Sequence, residues 1–137
     1  MSTQPDTLHE IVDLLKKEAE AVQNIPVSES FIQAVDLIYQ KIHIEGGKVI
    51  VSGMGKAGQI AENIATTLSS TGTPAVFLHP SEAQHGDLGI LQRNDILLAI
   101  SNSGKTREII ELIDLKNNRW GCHCPDRLVC RAAPQSH

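Results

Sequence analysis

Aromatic side chains are scarce, with one Trp, one Tyr and two Phe making up 3% of 137 residues. Base stacking on an aromatic platform is therefore not expected. The formal net charge of −4 argues further against general binding to a nucleic-acid backbone. No apolar run approaches the ~18 residues of a membrane span, and no charged-then-apolar leader opens the chain. The expectation is a cytoplasmic protein with neither membrane nor nucleic acid as partner. Cysteine is absent before Cys122, and Cys122, Cys124 and Cys130 do not make a disulfide framework. A Cys-x-Cys without a properly spaced second pair also falls short of a structural zinc signature.

What is present is ordinary for one soluble domain: 41% apolar and 20% charged residues. Thr7 and Glu10 fit a capping box at the start of a helix to about Gln23, with Leu8, Ile11, Val12, Leu15, Ala19 and Val22 as its apolar stripe. Asn24-Ile25-Pro26 breaks it. Ser28 is placed to cap a second helix to about His43, buried through Phe31, Val35, Ile38 and Ile42. Both helices read as packing or oligomer elements.

From Lys48 onward the pattern changes to short apolar runs alternating with helical spacing. Lys48 to Ser52, Ala75 to Leu78 and Asp95 to Ile100 read as buried strands. Helices follow Gly58 and begin again at Arg107. Strands without polar alternation, joined by helical crossovers, predict a parallel sheet covered on both faces. Every polar loop then falls after a strand's C-terminus, the edge where open α/β sheets hold ligands.

Three of these loops carry chemistry. The first, Gly53-Met54-Gly55-Lys56-Ala57-Gly58, is a G-x-G-x-x-G turn between strand and helix, an anion-attracting place. A dinucleotide would want an acid at the end of the next strand, but that strand ends at Leu78-His79. Lys56 inside the turn instead suits a phosphate or a developing oxyanion. The second loop, His79 to Asp87, offers two histidines as proton carriers. His85, beside Gly86 and Asp87, is the stronger functional candidate, while for His79 a loop-ordering hydrogen bond is an equal alternative. A divalent metal on His79, His85 and Asp87 is conceivable, though the spacing is not diagnostic.

The third loop, Ser101-Asn102-Ser103-Gly104-Lys105-Thr106, surrounds a turn with hydroxyls and amides, the ingredients of a phosphate cradle. A Walker A reading fails because Ala99 stands where its first glycine is needed. Glu108, in the following helical turn, either complements the helix dipole or faces the ligand as a general base.

Taken together, Gly53 to Gly58, His79-Pro80-Ser81-Glu82-Ala83-Gln84-His85-Gly86-Asp87-Leu88-Gly89 and Ser101 to Glu108 resemble the sugar isomerase (SIS) domain family, in its D-arabinose 5-phosphate isomerase type. The resemblance covers about residues 6–113. It implies an αβα sandwich on a parallel sheet in flavodoxin-like order, and a homo-oligomer, tetramer or dimer. The reaction implied interconverts D-ribulose 5-phosphate and D-arabinose 5-phosphate through an enediol, supplying Kdo for lipopolysaccharide or capsule. Lys56 and Glu108 match family positions proposed as catalytic, and His85 matches a position near the sugar, where Glu108 or His85 would carry the proton. Ser52, Gly53, Gly55, Ser101, Asn102, Ser103, Gly104 and Thr106 match the substrate and phosphate site. No cofactor is required on this reading; a divalent ion, zinc, at His85 is a lesser expectation. The alternatives are a sugar-phosphate-binding SIS module without catalysis and an inactive fragment.

Two departures accompany the resemblance. Lys105 stands where the family usually has Glu, shifting local charge toward phosphate affinity. After Leu115 the chain resembles nothing in the family, and four of its twelve basic but one of its sixteen acidic residues fall there. The expected organisation is a SIS portion over 1–115 and an atypical tail over 116–137. The tail's composition suggests a frameshifted or misjoined end, with no strand-like run longer than Leu128-Val129. Further strands and a catalytic Glu and His of the family are missing on this reading.

Overall fold

A computed structural model describes residues 4–120 and 127–131. The chain divides into two units, Met1–Ile32 and Gln33–His137. In the first, helix α1 spans Gln4–Gln23. It starts three residues before Thr7, so Thr7 lies inside the helix and the expected capping box is not its beginning. Its apolar stripe is open to solvent, with Leu8 66%, Leu15 60% and Val22 67% exposed.

Helix α2, Glu29–Ile38, runs into a π-helical segment, Tyr39–Ile44. The expected single α-helix to His43 is thus two forms of helix. The Ser28 hydroxyl pairs with that of Ser30 at 2.7 Å. Of the four residues expected to be buried, Ile42 is buried and Ile38 packs partly against the core, whereas Phe31 and Val35 are 51% and 64% exposed. Helical spacing identifies an apolar stripe but not whether the same chain covers it.

The second unit is built on strands β1 (Val49–Gly53), β2 (Ala75–Phe77), β3 (Ile96–Ser101) and β4 (Arg127–Arg131). They form one parallel sheet in the order β2-β1-β3-β4. β4 lies beside β3, pairing Leu98 with Leu128 and Ala99 with Val129. The tail supplies a strand that its short apolar run did not announce.

Strand alternation sorts the core into two layers. Val49 and Val51 face helix α3 (Lys56–Ser70), meeting Ala61 and Ala65. Ile50 and Leu97 face the other way, toward Leu78, Ala83, Leu91 and Leu112. The last of these lies on helix α5 (Arg107–Trp120), and Ala83 on the short helix α4 (Pro80–Gln84). Helices on both sheet faces make the expected αβα sandwich. α5 runs unbroken past Leu115, the position read from composition as a boundary.

At the N-terminal edge of the sheet, Asp95 is 1% exposed and fully engaged. Its carboxylate accepts from the Lys48 amide at 2.9 Å, the Lys48 ammonium at 2.6 Å and the Gln92 amide at 2.8 Å. Its carbonyl accepts from the Lys116 ammonium at 2.9 Å. This cluster joins the starts of β1 and β3 to α5, and so sets the opposite edge.

Candidate active site

All strands run parallel, so the loops leaving β1, β2 and β3 emerge at one edge of the sheet. β1 lies between β2 and β3, so its exit turn lies between the other two loops. The turn is tight for a reason that only glycine meets. A Cβ on Gly53 would stand 2.6 Å from the Ala57 carbonyl oxygen, and one on Gly58 would stand 2.8 Å from that of Gly53. Gly55 adopts φ +56°, in the region that disfavours other residues. The three glycines therefore press the start of α3 onto the end of β1. Lys56 opens α3 at this point with its side chain exposed.

Ser52, expected among the ligand contacts, is fully buried. Its hydroxyl donates to the Leu78 carbonyl at 2.6 Å, and the Leu78 amide donates to the Val51 carbonyl at 2.9 Å. Ser52 thus extends the join between β1 and β2 by one side-chain bond.

The second loop is not irregular. His79 precedes α4, Pro80 occupies its first turn, and His85 ends it, followed by a 3-10 turn at Asp87–Ile90. Gly86 permits the change of direction with φ +140°. His85 is exposed. His79 makes no side-chain cap bond to α4, and its Nδ1 is buried without a hydrogen-bond partner. The loop-ordering bond considered for His79 is therefore not made.

The third loop is ordered by its own hydroxyls. Ser101 is 3% exposed; its Oγ lies 2.9 Å from Thr106 Oγ1 and accepts from the Gly104 amide at 3.0 Å. Ser103 Oγ accepts from the Lys105 amide at 3.1 Å. The first intrahelical bond of α5 runs from the Ile110 amide to the Thr106 carbonyl. The amides of Arg107, Glu108 and Ile109 precede it and have no helical partner, which is the arrangement that attracts an anion. Asn102, Ser103 and Lys105 are exposed around this helix start, and Glu108 is half-buried in its first turn.

A contact not foreseen in the sequence ties the second loop to the third. Glu111, one turn after Glu108, accepts from Arg107 Nε at 2.6 Å and from the Gln84 side-chain amide. Its carboxyl is held below the ordinary value of 4.5, first by the Arg107 hydrogen bond and then by that from Gln84. The Arg107 guanidinium is raised by the same pair. The spacing from Arg107 to Glu111 is a familiar helix pair, but Gln84 lies too far along the chain to be read as the third member.

Among the described residues, no three His, Cys, Asp or Glu side chains are grouped to hold a metal. Cys122 and Cys124 lie outside the described residues.

Residues 42–121 match the SIS domain family. The chain is 42% identical over 118 residues to arabinose 5-phosphate isomerase KdsD of Pseudomonas aeruginosa, covering 84% of this chain and 35% of that protein. It is 50% identical over 99 residues to KdsD of Yersinia pestis, covering 72% of this chain and 29% of that one. The chain thus spans about a third of the length of the curated relatives it matches.

Among solved structures, a candidate phosphosugar isomerase from Bacteroides fragilis, described as involved in capsule formation, is 59% identical with a TM-score of 0.88. That match covers 95% of this chain and 67% of the other. An Escherichia coli CFT073 protein solved in complex with A5P is 34% identical with a TM-score of 0.80, covering 98% of this chain and 68% of the other. The family match spans more than half of the sequence and the sheet is shared with phosphosugar isomerase structures, so the chain belongs to the SIS domain family.

Proposed function

We propose that this chain holds a phosphorylated sugar at the C-terminal edge of its sheet and serves the interconversion of D-ribulose 5-phosphate and D-arabinose 5-phosphate. One observation carries the reading. A lysine and a carboxylate, Lys56 and Glu108, lie in the first turns of the helices that follow two adjacent strands, the second entered through a hydroxyl-lined turn with free helix amides. The relatives named arabinose 5-phosphate isomerase, and the neighbour solved with A5P, support the same substrate class.

In this reading the phosphate sits over the start of α5, held by its first amides and by Asn102, Ser103, Gly104 and Thr106, with Ser101 shaping the turn. The glycines at 53 and 55 let the sugar approach the backbone of the first loop. A base, Glu108 or His85, takes the proton from C1 of the ketose or C2 of the aldose. Lys56 stabilises the oxyanion of the enediolate, and the proton returns to the neighbouring carbon. No cofactor is required.

A second reading, a sugar-phosphate-binding module without turnover, is favoured by one feature. Among the described residues no hydrogen bond joins Lys56, His85 and Glu108, which stand at the start of α3, the end of α4 and the first turn of α5. The exposed apolar residues of α1 and α2 suit a homo-oligomer, dimer or tetramer. No described helix is long and apolar enough to cross a membrane, and the proposed place of action is the cytoplasm, in precursor supply for Kdo, lipopolysaccharide or capsule.

The test is to mix the purified chain with ribulose 5-phosphate and follow arabinose 5-phosphate. Turnover that falls by about 10²–10³ in Lys56→Ala supports the isomerase. Thermal stabilisation by the sugar phosphate without turnover selects the binding module, and stabilisation by NAD alone contradicts both.

A further inference from the structure

His79 has the wrong surroundings for a structural histidine. Its backbone is extended, φ −69° and ψ 127°, so the alternation of β2 carries on through it. Phe77 packs on the α3 layer and Leu78 on the opposite one, which returns His79 to the α3 side. The Phe77 and His79 rings meet edge to face, centroids 6.4 Å apart at 78°. The tip of Phe77 lies 3.9 Å from where a Cβ on Gly58 would be. Phe77 therefore sits beneath the glycine turn, and His79, two residues farther toward the sheet edge, sits beside it.

Nδ1 of this ring is buried and has no hydrogen-bond partner. A buried N–H with no acceptor is rarer and costlier than a carbonyl or ring lone pair left unfilled. Of the two tautomers of an imidazole, the cheaper one here places the proton on Nε2. Nε2 is not among the buried, unpartnered atoms, so the half-buried ring opens to solvent on that edge. The ring caps nothing and pairs with no charge. What it offers is an N–H donor on the α3 side of the sheet edge, linked through Phe77 to the glycine turn that Gly58 closes.

We propose that His79 contacts substrate directly, donating from Nε2 to the oxygen of the sugar's reacting carbonyl alongside Lys56. A neutral imidazole in this role polarises a carbonyl without giving up its proton. Lys56 supplies charge and His79 direction, and the proton transfers remain with Glu108 or His85. This inference rests on the sugar-phosphate reading above.

The test uses the full chain labelled with ¹⁵N-histidine, the His79 signals being assigned by their loss in His79→Gln. Spectra are taken alone, with inorganic phosphate and with arabinose 5-phosphate, while the backbone amides of 101–108 are followed. The proposal expects the proton on Nε2 and a shift of that signal with the sugar phosphate but not with phosphate alone. It also expects His79→Asn to weaken arabinose 5-phosphate about five- to tenfold with phosphate binding unchanged, and His79→Gln, whose amide reaches the Nε2 position, to retain most of the affinity. A proton on Nδ1, or a silent Nε2 while the 101–108 amides respond to the sugar phosphate, overturns the role of His79 and leaves the site standing. If neither ligand moves those amides, the sugar-phosphate reading itself fails. Should His79→Asn not fold, the spectra of the unsubstituted chain still decide.

Discussion

The hydroxyls of Ser101 and Thr106 lie 2.9 Å apart, five residues distant along the chain, and the Gly104 amide donates to the same Ser101 oxygen. That pair closes the loop between β3 and α5 before any ligand arrives. The turn is preorganised, so binding need not include the cost of ordering it.

Ser101→Ala removes the shared acceptor and leaves the Gly104 amide and the Thr106 hydroxyl without it. The expected loss is about 1–2 kcal/mol of stability, read from denaturant unfolding. Affinity for arabinose 5-phosphate should fall in the same variant. Unchanged affinity would separate the loop from the phosphate site.

Gly58→Ala puts a methyl group 2.8 Å from the Gly53 carbonyl oxygen. Backbone on both sides must move, so a loss of about 1–3 kcal/mol is expected. Gly89, where a Cβ would meet nothing within 4 Å, serves as the control, and Gly89→Ala should be close to neutral.

Asp95→Ala strips three donors of their acceptor at the buried edge of the sheet. Breaking a buried ion pair from one side typically costs about 3–5 kcal/mol, and the partial exposure of Lys48 points to the lower end. Asp95→Asn keeps one acceptor oxygen and should recover part of the loss. Equal stability of all three proteins would remove this cluster from the account.

The Glu111 bracket between Arg107 and Gln84 has a defined pH dependence. Its carboxyl is depressed in the fold, so its contribution is complete above the ordinary value of 4.5 and fades as pH falls through the lower folded value. The bracket is at the surface, and the effect is small. Comparing unfolding of Glu111→Gln with the parent between pH 7 and pH 3 should show a gap that closes toward the acid end. A gap that widens on acidification would reverse the sign.

Much of the second unit was legible because its signals are local. β-branched runs, glycine turns and helical spacing alternate from Val49 to Leu115, and parallel order follows from the crossovers. The first unit was harder, since a stripe such as Leu8, Leu15 and Val22 reads the same whether its own chain or a partner covers it. The π-helical segment after Ile38 has no composition of its own. β4 was missed because Arg127-Leu128-Val129-Cys130-Arg131 is short and bounded by charge, and it becomes a strand by pairing with β3.

In the candidate site, the tight glycine turn and the hydroxyl-ordered loop were readable from residue type and position. The Gln84–Glu111 contact and the orphaned Nδ1 of His79 were not. Both depend on which side chains the sheet brings together, a long-range outcome that no local pattern encodes. Ser52 shows the converse: a hydroxyl in the right place by sequence, committed by the fold to the Leu78 carbonyl.

The most direct measurement is a titration of the chain with arabinose 5-phosphate, read by backbone amide shifts along the whole sequence. A sugar phosphate held at the sheet edge gives saturable shifts concentrated at 53–58, 79–87 and 101–108, with Ser101→Ala weakening them together. Shifts confined to other surfaces, or none at concentrations that saturate a sugar-phosphate site, would contradict it.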